Sequence, residues 1–328
     1  MKKKKIIITG GAGFIGSHLV DFLVKKNYNI TVIDNLSTGQ KKNLANSLKK
    51  IKFYKSDISK IGKWTNIFKN AYAVYHLAAK ADIVPSIKDP VEYHKTNIDG
   101  TFNVINSCKK FSVKKIIYAA SSSCYGIPKK FPTDEKSSIC FHYPYAMTKN
   151  LGEQIINHFS KLYNITCVSL RLFNVYGPRS RTTGAYGAVF GVFLAQKLNN
   201  KPLTIVGDGN QSRDFIHVSD VINAFYKALF YNKKFNIFNI GFGKSIKINT
   251  LADLIGGKKI FIPNRPGEPN MTLANIKKAK KELKWKPRIE FFTGVKNLLD
   301  NLNDWKRAPV WTKSKISKET KEWFKRIK

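Results

Sequence analysis

Tyr145-Ala146-Met147-Thr148-Lys149 sets a phenol four residues ahead of an ammonium. That spacing stacks the two groups on one face of a helix, one turn apart. A neighbouring ammonium favours the phenolate and draws a tyrosine pKa from near 10 toward neutrality, which makes it a general base for a hydroxyl group. Tyr125 and Lys129 share the spacing, but Gly126 and Pro128 lie between them and argue against a helix there. Tyr145 instead follows Pro144 and opens a periodic pattern through Leu151, Ile155, Phe159 and Leu162. Upstream, an apolar run ends in Ala120-Ser121-Ser122-Ser123, which presents hydroxyls at its carboxyl end; without the Tyr/Lys pair these serines read as a turn.

A second chemical signal lies at the start of the chain. Thr9-Gly10-Gly11-Ala12-Gly13-Phe14-Ile15-Gly16 follows an apolar run and precedes the helical pattern of Ile15, Leu19, Phe22 and Leu23. Glycines there permit a tight turn and close approach of a pyrophosphate to the backbone, with the helix N-terminus supplying oriented N–H donors. The plain alternative is a strand–helix turn. The position after the first strand and the acidic residue further on favour a dinucleotide. That acid is Asp34, in Ile33-Asp34-Asn35, placed to accept hydrogen bonds from ribose hydroxyls. A carboxylate there repels a 2′-phosphate, so NAD is expected over NADP. Asp57, followed by Ile58, is placed either to meet the adenine edge or to cap a helix. The positive charge of an oxidised nicotinamide adds to the expected effect of Lys149 on Tyr145.

The elements that must position these residues follow from hydrophobic rhythm. Lys5–Thr9, Ile30–Asp34, Ile51–Asp57, Ala73–Ala78 and Lys115–Ser121 read as buried strands, each followed by a helix-length segment. The fold class is α/β, a Rossmann-type doubly wound parallel sheet whose ligands bind at the carboxyl edge. From Asn174 the rhythm changes: a Gly- and Arg-containing stretch from Gly177 to Gly187, a helix near Ala188–Asn199, strands at Leu203–Val206, Ser212–Val218 and Phe235–Gly241, then Pro263–Pro269. We divide the chain into an NAD-binding domain, 1–173, which also receives segments near 219–245, and a smaller interleaved α/β substrate domain, 174–218 and 246–305. A basic helical tail, 306–328, places Trp311, Ile316, Thr320, Trp323, Phe324 and Ile327 at helical spacing, as a packing helix would rather than a membrane anchor.

Bulk properties exclude several classes. The N-terminal apolar run is too short for a signal peptide or a membrane span, so the expected location is the cytoplasm. Cys108, Cys124, Cys140 and Cys167 are far apart and have no His beside them, so they read as reduced thiols and no metal site is expected. The formal charge of +37 invites a polyanion partner. Yet the lysines are scattered and Arg is scarce beside them, so a solvated surface is the expected reading and nucleic acid is not an expected partner.

Taken together, Thr9–Gly16, Asp34, Ser121–Gly126 and Tyr145/Lys149 resemble the extended short-chain dehydrogenase/reductase family, most closely its UDP-glucose and UDP-N-acetylglucosamine 4-epimerases. The resemblance runs from about Lys4 to Trp305. It implies that Ser121, Tyr145 and Lys149 are catalytic, and that Leu77, Ala78 and Ala79 of the His76–Ala81 motif, together with Asn97, lie beside the cofactor. It also implies that Asn174 of Arg171–Pro178 and Arg213 of the Arg213–Val218 motif contact the substrate diphosphate. In Arg265-Pro266-Gly267-Glu268, Arg265 would meet phosphate and Glu268 the uridine ribose. Physical chemistry alone allows Arg213 and Arg265 to be surface ion pairs. Thr272, seven places beyond Arg265, falls where family members admit or exclude an N-acetyl group.

The same resemblance implies a reaction: Tyr145 removes the O4 proton while C4 passes hydride to NAD, and the 4-keto sugar turns and is reduced on its other face. Related dehydratases carry an Asp-Glu pair after the catalytic Ser or Thr, and related decarboxylases a Glu two places on. Here Ser122 and Ser123 stand instead, leaving epimerisation as the simplest chemistry. Ala81 stands where some UDP-galactose epimerases have lysine. Competing expectations are a UDP-uronate or pentose 4-epimerase, a dehydratase or reductase of the same fold, and a non-catalytic polyanion-binding protein. Family members are commonly homodimers built on a four-helix contact.

Overall fold

The computed structural model describes residues 3–180 and 188–327, so part of the Gly177–Gly187 stretch, residues 181–187, lies outside the described residues. Thirteen strands occur among the described residues, here β1 (Lys5–Thr9), β2 (Asn29–Asp34), β3 (Lys52–Lys55), β4 (Ala73–His76), β5 (Lys115–Ser121), β6 (Thr166–Leu172), β7 (Asn174–Tyr176), β8 (Leu203–Val206), β9 (Ser212–Arg213), β10 (Phe215–His217), β11 (Phe235–Ile240), β12 (Ile246–Lys247) and β13 (Lys259–Ile262). Seven form one parallel sheet in the order β11-β6-β5-β4-β1-β2-β3. The order reverses between β1 and β4, and that switch point opens a crevice at the carboxyl edge.

Strand alternation explains why the inner strands β1, β2, β4 and β5 are largely apolar. Ile6, Ile8, Ile30, Val32, Tyr75, Ile117 and Leu170 point to one face, where they meet Leu19 and Leu23 of helix Phe14–Lys25 and Val221 and Phe225 of helix Val218–Ala228. Ile7, Ile33, Val74, Ile116 and Cys167 point to the other, against Val104 and Cys108 of helix Gly100–Lys110 and Ile156 of helix Pro144–Tyr163. With both faces covered, most positions of these strands must be apolar, whereas β3, expected to be buried, lies at the sheet edge and is largely exposed.

Two sequence expectations need correction here. The span Ser212–Val218 is not one strand. It breaks at Asp214 into β9, antiparallel to β12, and β10, parallel to β7. The break has a cause: the buried Asp214 carboxylate accepts the backbone N–H groups of Phe242, Gly243 and Ala274, tying the chain after β11 to the segment around Ala274. Asp57 lies past the end of its strand, which covers only Lys52–Lys55.

The remaining strands and the C-terminal helices enclose a second core. Tyr176, Phe190, Phe215 and Phe291 pack ring on ring at its centre, with Tyr176 and Phe190 stacked 4.7 Å apart. Trp305, Ile316, Trp323 and Ile327 are buried in this same core, so the tail packs on it. Among the described residues, no helix is long and apolar enough to cross a membrane.

Candidate active site

A cleft of about 610 Å³ runs along the carboxyl edge of the sheet from the glycine loop to the second core. Its first end is built on backbone. Gly10 has φ +71°, and a Cβ added there would lie 2.6 Å from the Ala78 nitrogen, so β1 and the turn after β4 meet at a distance only glycine allows. Gly13 precedes helix Phe14–Lys25 with no side-chain cap, which leaves first-turn N–H donors for a ligand. Beside them, Asp34 accepts from the N–H groups of Ala12 at 2.9 Å and Leu36 at 2.8 Å. Burial pushes its carboxyl above the ordinary value, opposed by those two bonds. Asp57 accepts from Ser59 N and Oγ and from Asn35 Nδ2, with no helix beginning at that point. Gly16, Phe14, Ile15, Ile58, Leu77, Ala78 and Ala79 complete this end. An uncapped helix start, a glycine-only crossing and an oriented carboxylate fit a dinucleotide.

Behind the loop, a buried hydrogen-bond chain fixes the switch point. Thr101 Oγ1 donates to Asn97 O, so it accepts from His76 Nε2, and His76 Nδ1 then accepts from Thr9 Oγ1 at 2.7 Å. Thr9 Oγ1 in turn accepts from Ala78 N. Burial, with the Lys149 charge adding to it, pushes His76 down to about 3, so it works as a neutral linker. In the sequence His76 stands out only as part of a motif; a histidine ending an apolar strand is the signal for this role.

Tyr145 and Lys149 occupy the first turns of helix Pro144–Tyr163, which starts with proline at N1 and ends on Asn164 in the left-handed conformation. The Tyr145 hydroxyl is hydrogen-bonded to Ser121, whose Oγ lies 3.0 Å from Ser123 Oγ. Lys149 is buried, with its Nζ 4.3 Å from the centre of the Tyr118 ring. The expected lowering of the tyrosine pKa by Lys149 requires a correction. Burial raises the Tyr145 phenol above its ordinary value, with the Ser121 bond opposing it, and Lys149 is itself pushed down to about 7 by burial, against the pull of Glu153.

At the far end, Arg213 and Arg265 flank one carboxylate, Glu268, at 3.6 and 2.9 Å. Two guanidinium groups against one carboxylate leave a positive site suited to a diphosphate. Ser122, Ser123 and Asn174 line the middle of the cleft.

Two expected site residues lie off the cleft wall. Asn97 has both amide hydrogens and its oxygen committed to the Lys80 backbone and Thr148 Oγ1, so it pins the turn after β4 rather than reaching a ligand. The Thr272 hydroxyl is taken by Asn174 Nδ2 and Asp214 N, which places it behind Asn174. Conversely, Trp311 and Trp323 of the tail line the cleft, as do Thr204, Gln211 and Phe215. Helical spacing foretold that the tail packs, but not on what.

The model of the NAD dependent epimerase/dehydratase family matches residues 6–241. The chain belongs to that family. It is 35% identical over 314 residues to the UDP-glucuronate 4-epimerase of Thermodesulfobacterium geofontis, covering 90% of this chain and 94% of that one. Among solved structures, it resembles the UDP-N-acetylglucosamine 4-epimerase of Methanobrevibacter ruminantium M1, solved with UDP-N-acetylmuramic acid (TM-score 0.85, 34% identity, 92% and 100% of the two chains). It also resembles the UDP-glucose 4-epimerase of Thermotoga maritima, solved with UDP-glucose (TM-score 0.86, 33% identity, 90% and 97%). NAD is the cofactor of this family, as the glycine loop and Asp34 lead one to expect.

Proposed function

We propose that this protein is an NAD-dependent 4-epimerase of a UDP-hexose, either UDP-glucose/galactose or the N-acetylated pair. The observation that carries the reading is the turn Ser121-Ser122-Ser123 beside Tyr145, which offers hydroxyls and no acid for expelling water. Gly10, Gly13 and Gly16 with the first turn of helix Phe14–Lys25 hold the pyrophosphate, Asp34 and Asn35 the adenosine ribose, and Asp57 and Ile58 the adenine. When bound, NAD supplies reversible two-electron oxidation at C4. Tyr145 takes and returns the O4 proton, and Ser121 holds O4 by hydrogen bonding. Lys149, against the Tyr118 ring, supports the nicotinamide ribose and the phenol. Asn174, Arg213 and Arg265 hold the diphosphate, and Glu268 the uridine ribose.

Transient oxidation at C4 exchanges no carbon-bound hydrogen with water, whereas dehydration ionises C5–H and reprotonates carbon from solvent. UDP-glucose or UDP-N-acetylglucosamine incubated with the enzyme in D2O should give C4 epimers with no ring deuterium and the C6 hydroxyl intact by NMR. Deuterium at C5, or a 4-keto-6-deoxy product, overturns the epimerase reading. Running UDP-glucuronate alongside separates the hexose from the uronate substrate.

We also infer a homodimer through helices Gly100–Lys110 and Pro144–Tyr163. Phe102, Leu162 and Tyr163 on these helices are 45%, 60% and 40% exposed, an apolar face that a second copy would cover. Light scattering should give twice the chain mass, and F102E/L162E the monomer; a wild-type monomer at micromolar concentration overturns this.

A further inference from the structure

The tail touches three consecutive residues of the turn that carries Arg265. The Arg265 guanidinium lies over the Trp323 ring, 5.6 Å from its centre. Trp323 Nε1 donates to Pro266 O at 2.8 Å. Ile327 closes on Gly267, where an added Cβ would come within 2.8 Å of Ile327 Cγ2 and where φ is +74°. One residue further, Glu268 bridges Arg265 and Arg213.

The tail is itself anchored at both ends. Trp311 O accepts from the buried Gln196 Nε2 at 2.6 Å, Thr312 caps helix Lys313–Glu319, and Glu319 pairs with Lys88 at 2.8 Å. Trp323 is 1% exposed and packs against Tyr143, the residue that precedes the helix bearing Tyr145 and Lys149. A flexible arginine loses rotamer freedom on gripping an anion; a ring beneath its guanidinium and a hydrogen bond to the next carbonyl remove that freedom in advance.

We propose that the C-terminal segment Lys313–Ile327 is a clamp on the turn Arg265–Glu268, with Trp323 as the positioning residue that sets affinity for the nucleoside-diphosphate end of the substrate. This rests on the diphosphate role proposed above for Arg265. Trp323 touches no reacting atom, so its loss weakens binding and leaves turnover intact.

The test is calorimetric titration of the NAD-loaded full chain with UDP, beside steady-state kinetics. Trp323→Leu keeps apolar bulk and loses both the ring face and the donor; it should raise the UDP Kd and the KM about tenfold, with kcat within about twofold. Trp323→Phe restores the ring without the donor and should recover part of that loss, and it carries the test if the leucine variant does not fold. In an Arg265→Ala background, Trp323→Leu should add nothing, because the two act as one unit. Additive losses, or a UDP Kd unchanged in Trp323→Leu and Trp323→Phe while Arg265→Ala still weakens binding, overturn the clamp. An unchanged Kd in Arg265→Ala alone overturns the diphosphate reading beneath it.

Discussion

The hydroxyls of Tyr125 and Tyr145 sit in two different kinds of surroundings, one closed within the chain and one on the cleft wall. The Tyr125 hydroxyl donates to Asn239 Oδ1 at 2.7 Å and accepts from Arg171 Nη1 at 2.9 Å. Arg171 forms a two-point pair with the buried Glu153, which also accepts from Ser169. Every polar atom around Tyr125 is committed to another part of the chain. Tyr145, by contrast, meets Ser121 and opens onto the cleft, and among the described residues Lys149 Nζ makes no hydrogen bond to protein. A saturated network builds architecture, and an incomplete one is available to a ligand.

Exchanging the two phenols for phenyl rings breaks or sharpens this contrast. Tyr145→Phe should retain its fold and NAD but lose on the order of a hundredfold or more in turnover, since a general base is removed. Tyr125→Phe should keep kcat within a few fold. It should also lower stability by about 1–3 kcal/mol in urea unfolding, because buried Asn239 Oδ1 loses its donor and Arg171 Nη1 loses one of its acceptors. If Tyr125→Phe is the variant that abolishes turnover, the distinction between the two networks is wrong.

Much of the sheet was legible because strands covered on both faces need unbroken apolar runs, and β1, β2, β4 and β5 have them. Sequence reading names no strand at Thr166–Leu172. The reason is chemical: Ser169 and Arg171 interrupt the run, and both are met by Glu153 on the helix that precedes the strand. The cleft was legible where motif spacing fixes local geometry, as at Thr9–Gly16 and Tyr145/Lys149. It was not legible where a residue acts through partners far along the chain. Asn97 and Thr272 look like ligand contacts in isolation, yet the Asn97 amide is committed to Lys80 and Thr148, and Thr272 Oγ1 accepts from Asn174 and Asp214. Trp323 is the converse, a packing residue by its spacing that reaches the cleft because the tail folds back over Pro266.

Lys149 offers the finest test, because its charge is unfavourable to the fold that holds it. Burial pushes it from 10.5 down to about 7. Between those values the unfolded chain binds a proton that the folded chain does not, so folding becomes more favourable as pH rises through that window and less favourable toward its acid end. Lys149→Met keeps the volume and removes the ionisable group. At pH 7 its unfolding free energy in urea should exceed the wild-type value by about 1 kcal/mol, as is common when a buried ion gives way to an apolar side chain, while turnover falls. The gap between the two proteins should then narrow toward pH 9, because only the wild type has the lysine term in its pH dependence. Tyr125→Phe keeps Lys149, and with it the same term, and should run parallel to wild type over the same range. A Lys149→Met protein that is less stable at pH 7, with the wild-type slope retained, would show that the ammonium is part of the architecture after all and that the contrast with Arg171 does not hold.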